Sequence, residues 1–151
     1  MKSSVFFAFA DVAGLAVCGA ASGQDKPQKP DWVVKDLYVE NTVGELNPDE
    51  YFAKDLAAAL TADKTAAPRA VAMDYRFDSP GPDGGALDFA TDGLTDTRAN
   101  IRADFLLKGK PRKILYTVCK QDDGKWRIAD IQAPGKWTLR QSLKLPETSG
   151  C

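Results

Sequence analysis

The chain predicts an α+β domain, with N-terminal helices packed on a curved antiparallel sheet, and three observations carry that expectation. Two segments near the start place apolar residues at helical spacing. A later stretch, 97–107, alternates apolar and polar residues, and 112–133 divides into two β-branched and aromatic runs around Asp122-Asp123-Gly124. Helices first and antiparallel strands after them is the order of a domain whose helices cover one face of a sheet.

Met1-Lys2-Ser3-Ser4 is followed by an apolar run from Val5 to Val17 and then by small residues, Gly19 to Gly23. This basic, apolar, small-residue order predicts a secretory signal peptide over 1–23, with Asp11 as a departure from the pattern. The run is too short and too interrupted for a permanent membrane span. Leu15-Ala16-Val17-Cys18 supports an alternative, a lipoprotein signal in which Cys18 carries lipid, although Val17 stands where that signal has Gly, Ala or Ser. Either route predicts an extracytoplasmic protein, periplasmic or secreted, with a lipid anchor only under the alternative.

Residues 24–30 are polar and contain two prolines, so they predict a flexible tether, and 31–145 then predicts a single domain. Asp31 caps a first helix through Val33, Val34, Leu37 and Tyr38 to near Asn41. Asn47-Pro48-Asp49-Glu50 starts a second, with a cap, a proline at the first helical position and a glutamate three residues after the cap. Its stripe of Phe52, Leu56, Ala59 and Leu60, running to about Asp63, is expected to pack on the sheet. From 66 to 96 the pattern fades. Met73, Tyr75 and Phe77 alternate with Asp74, Arg76 and Asp78, which fits a short edge strand or a loop pinned by its aromatics. The stretch 78–85 is loop by composition. Its carboxylates with Asp88 and Asp92 raise calcium, but their spacing matches no calcium loop and a solvated acidic loop is the plainer reading; no metal site or cofactor is expected.

The strand over 97–107 turns at Lys108-Gly109-Lys110-Pro111 into a hairpin, giving a three-stranded meander. A two-residue Asp123-Gly124 turn would set Lys120 opposite Arg127, a like-charge pair. A three-residue turn with Gly124 left-handed avoids this, placing Val118 opposite Ile128 and Tyr116 opposite Asp130. Ile114, Tyr116, Val118, Trp126 and Ile128 are then core. Asp130 is left as a charge on the apolar face, an arrangement that needs an explanation. Trp137 to Leu145 predicts a short terminal helix capped by Thr138, with Leu139 and Leu143 inward, and 146–151 a loose tail. Of three cysteines, Cys119 is expected to be a small packed residue and Cys151 a terminal thiol; a disulfide between them is the alternative in an exported chain.

The absence of histidine removes histidine-dependent catalysis. With 20 basic and 21 acidic residues spread along the chain there is no electrostatic footprint for nucleic acid.

The Asn47-Pro48-Asp49-Glu50-Tyr51-Phe52 helix start, the acidic loop, the meander with its Gly124 to Ile131 run, and the closing Leu139 to Leu143 segment resemble a family. It is that of uncharacterised bacterial secreted proteins and lipoproteins with a cystatin-like, or nuclear-transport-factor-like, cone fold. The resemblance implies the cone, and it passes on no activity, because the wider superfamily includes isomerases, dehydratases and binding domains. Three readings follow. The first is a non-catalytic binding domain for an unknown small molecule or extracytoplasmic protein. The second is a small acid–base enzyme of isomerase or dehydratase type using Asp130 and Tyr116 inside the cone. The third is an immunity or inhibitor protein for an extracytoplasmic partner.

Overall fold

The computed structural model describes residues 28–39, 45–79 and 84–147. The expected signal peptide, most of the expected tether, Cys18, the expected end of the first helix near Asn41, residues 80–83 and Cys151 lie outside the described residues. The fold is α+β. An open five-stranded antiparallel sheet runs in sequence order, β1 (Gly84–Leu94), β2 (Arg98–Leu107), β3 (Lys110–Lys120), β4 (Trp126–Ala133) and β5 (Trp137–Thr138). Among the described residues four helices accompany it: α1 (Pro30–Val39), α2 (Pro48–Tyr51), α3 (Lys54–Thr65) and α4 (Leu139–Ser142).

The expected meander is the centre of the sheet, flanked by two strands that the sequence did not announce. β1 occupies an edge, where Leu87 and Leu94 stay exposed, so its side chains never had to alternate in the way that signals a half-buried strand. The second expected helix is broken. Asn47 caps α2, and then Phe52 and Ala53 turn extended, at ψ 153° and 147°, before α3 starts. The break has a cause in the sheet: Phe52 bridges to Ile128, and the Ala53 N–H donates to the Ile128 carbonyl at 2.9 Å. Residues 73–78 form the aromatic-pinned loop rather than a strand, with Asp74 bridged to Ser79. The terminal helix is shorter than expected, 139–142, but Thr138 caps it as anticipated, accepting from the Gln141 N–H at 3.1 Å.

α1 lays Val33, Val34 and Leu37 on the sheet, and the core is completed by Ile101, Ala103 and Phe105 of β2, Ile114, Tyr116 and Val118 of β3, and Trp126, Ile128 and Ile131 of β4. The β3–β4 turn is the three-residue one. Gln121 donates to Lys125, Gly124 has φ +77°, and Lys120 stands opposite Trp126 and Val118 opposite Ile128. A side chain at Gly124 would meet no neighbour, so it is the left-handed backbone alone that favours glycine there.

Beyond Ile128 the register departs from simple alternation. Ala129 is a β-bulge residue, so Thr117 pairs with Asp130 and Tyr116 with Ile131. The expectation that Tyr116 faces Asp130 is thereby corrected. The bulge carries Ile131 into the core and Asp130 to the other side, where its charge is no longer among apolar side chains. Its freed carbonyls are used from outside the sheet, Ile128 by Ala53 and Ala129 by Arg140 Nη1 at 3.2 Å.

Cys119 is also a correction. It is buried and disulfide-bonded rather than a lone packed thiol, and its partner lies outside the described residues.

Candidate functional site

The two faces of the sheet differ in what they leave available. On the helix-covered face, Tyr38 of α1 stands edge-on to Phe77, Phe89 and Tyr116, at ring-centre distances of 5.3, 5.3 and 6.2 Å, and Phe77 meets Phe105 at 5.4 Å. The polar ends of this cluster are consumed internally. Tyr116 Oη donates to Tyr38 Oη at 2.7 Å, and Tyr38 Oη donates to the Arg76 carbonyl at 2.8 Å. Burial, the largest influence on each, pushes both phenols far above the usual tyrosine range.

Beside them lies a buried ion pair. Arg76, 1% exposed, donates from Nη2 to Asp74 Oδ2 at 2.8 Å, from Nε to Asp74 Oδ1 at 3.0 Å, and from Nη1 to the Leu37 carbonyl at 2.9 Å. The loop is thereby tied to α1. Sequence reading missed this pair, because two charges in an aromatic-flanked loop look solvated until the loop is seen to be covered.

The open face is polar and carries a groove of about 320 Å³, lined by Asp92, Arg98, Asn100, Thr117, Asp130 and Gln132 among others. Strand pairing produces the arrangement. Asp92 pairs with Asn100, Asn100 with Thr117, and Thr117 with Asp130, so four polar side chains cross four strands in one row. Without the bulge at Ala129, Asp130 would not belong to this row. Its carboxylate accepts from the Ile131 N–H at 2.9 Å and the Arg140 N–H at 3.1 Å, both through Oδ1. Desolvation nevertheless holds its pKa above the usual carboxylate value, with the Arg140 and Ile131 bonds pulling it down and nearby Glu147 adding to the rise. Asp92 is matched by Arg102 at 2.6 Å. For the Arg98 guanidinium no partner is found among the described residues, its backbone alone bonding to Thr95.

The candidate pair Tyr116 and Asp130 is therefore divided by the sheet. Tyr116 borders the groove, but its hydroxyl is committed to Tyr38 in the aromatic cluster, and the Asp130 carboxylate is on the other side of the sheet, so the two functional groups do not meet.

Of the carboxylates considered for calcium, Asp83 lies outside the described residues and the described ones are dispersed. Asp78 is bound by Lys136 and by Trp137 Nε1 at 2.8 Å, and Asp92 by Arg102. Among the described residues no three Asp, Glu or Cys side chains gather as a metal cluster. A second cavity, about 250 Å³, is lined by Asp78, Asp104, Arg112, Lys113 and Lys136, and both of its carboxylates are already paired, Asp104 with Arg102 at 2.7 Å. No described helix is long and apolar enough to cross a membrane.

Comparison of the chain with protein-family models, curated proteins and solved structures gives no match.

Proposed function

We propose that this chain is an exported, non-catalytic binding domain whose ligand sits in the groove on the open face of the sheet. The observation that carries the reading is the contrast between the two faces. The helix-covered face is filled by side chains that satisfy one another, and the open face holds a concave site with an arginine and a carboxylate oxygen left to interact. A few placed polar groups around a cavity of this size suit a small ligand. Export is supported by the N-terminal order of residues and by the disulfide at Cys119, since such bonds persist in oxidising compartments. We further assign the fold to the cystatin-like, nuclear-transport-factor-like cones, on the support of helices laid across one face of a bulged meander.

The test is native mass spectrometry of the protein recovered from the extracytoplasmic fraction, beside Thr117→Trp, which fills the groove with a residue that strands accept. A bound small molecule that disappears in Thr117→Trp at unchanged melting temperature is the expected result. Retention of the ligand in that variant would place the site elsewhere. Recovery of a stoichiometric protein in place of a small molecule would overturn the reading in favour of an immunity or inhibitor role.

A further inference from the structure

We propose that the groove recognises a short peptide with free ends, its carboxylate held by Arg98 and its ammonium group by Asp130. The inference rests on the groove being the binding site and adds the chemical class of what it takes.

Charge complementarity carries the argument. Of the groove's charged groups, Asp92 is neutralised by Arg102, whereas Arg98 has no ion-pair partner among the described residues. Asp130 receives its two backbone donors on Oδ1, which leaves Oδ2 for a further donor. One unmatched cation and one available carboxylate oxygen in the same cavity complement a ligand that carries both signs.

The separation fits a peptide rather than a single amino acid. Arg98 is on β2 and Asp130 on β4, two strand spacings apart, and the Arg98–Cys119 pair lies one two-residue step along from the Asn100–Thr117–Asp130 row. With strands about 4.8 Å apart and about 3.3 Å per residue, the diagonal between the two Cα positions is on the order of 12 Å. Side chains on one face of a sheet stand roughly perpendicular to it, so the two charged ends keep about that separation, and an extended dipeptide of about 7 Å with a charge-assisted bond of about 2.8 Å at each end matches it.

What lies between the charges agrees with this. Asn100 and Thr117 lie beside the diagonal and offer both donors and acceptors, as peptide units require, while Gln132 stands one step beyond Asp130. Glu147, close enough to raise the Asp130 pKa, adds negative charge at the end that would hold the ammonium group.

Isothermal titration of the disulfide-intact mature protein with Ala-Ala, N-acetyl-Ala-Ala and Ala-Ala amide decides the matter. The free dipeptide is expected to bind at least tenfold more tightly than either capped form. Arg98→Gln should abolish the difference between free acid and amide, and Asp130→Asn the difference between free amine and acetyl, each at a melting temperature that shows a folded domain. Equal affinity for free and capped peptides, or no heat of binding at millimolar Ala-Ala, overturns the proposal. Should Thr117→Trp still expel a copurified small molecule in that event, the groove remains the site and only the peptide class is refuted.

Discussion

Arg76→Met is a substitution whose consequence the structure allows to be worked out in full. The change keeps most of the side-chain volume and removes the guanidinium. Asp74 then keeps a single backbone donor, the Arg76 N–H at 3.0 Å, while its side chain stays 7% exposed, and the Leu37 carbonyl loses its 2.9 Å bond. Breaking a buried pair from one side leaves an uncompensated charge and typically costs about 3–5 kcal/mol. That is a large part of the roughly 5–15 kcal/mol by which domains of this kind are stable. Urea unfolding of Arg76→Met beside the wild type measures it. The double variant Asp74→Asn, Arg76→Met should recover on the order of 1–3 kcal/mol, since a neutral amide is cheaper to bury than an unpaired carboxylate. A loss below about 1 kcal/mol in the single variant, or a double variant no more stable than the single, would refute the argument that this pair is desolvated and joins the 73–78 loop to α1.

Trp126 is buried at 6% exposure, and Trp126→Ala should cost about 3–5 kcal/mol by denaturant unfolding; a loss under about 1 kcal/mol would mean that β4 does not present it to the core. Asp130 has a folded pKa raised chiefly by burial, so its contribution to stability is fully present below the unfolded carboxylate pKa and is lost as pH rises through the folded value. Asp130→Asn should therefore raise the melting temperature relative to wild type at pH 7 and leave it nearly equal at pH 3, and a reversed order would refute this. Asp55 is the opposite case, its pKa lowered chiefly by the hydrogen bond from Arg140 at 2.5 Å. Its contribution is present above the unfolded value and is lost as pH falls through the lowered folded one, so Asp55→Asn should flatten the acid limb of the stability curve below about pH 5. On the proposed export, which would cleave Cys18 away or link it to lipid, non-reducing peptide mapping of exported protein should recover Cys119 joined to Cys151; a Cys119–Cys18 peptide on a chain beginning at Met1 would sink both the pairing and the signal reading.

What the sequence determined by itself is whatever depends on neighbours along the chain. The caps at Asn47 and Thr138, the left-handed Gly124 and the alternation of 97–107 are local demands of the backbone and of one buried face, and each is where the residues say it should be. The core residues of the central hairpin followed from the turn for the same reason. Tertiary structure decided the rest. The helix over 47–63 breaks at Phe52 because a strand far along the chain offers Ile128 as a partner. β1 is a strand because β2 supplies its hydrogen bonds, not because its own composition favours one. The candidate site turns on one residue, Ala129. Simple alternation from Ile128 would bury Asp130 and expose Ile131, and the charge left on the apolar face was the trace of the bulge in the sequence. Whether a chain accommodates such a charge by pairing it or by shifting register depends on what can hold the displaced carbonyls. Here those partners are Ala53, distant in sequence and brought to β4 by the fold, and Arg140, carried back onto β4 by the β4–β5 hairpin.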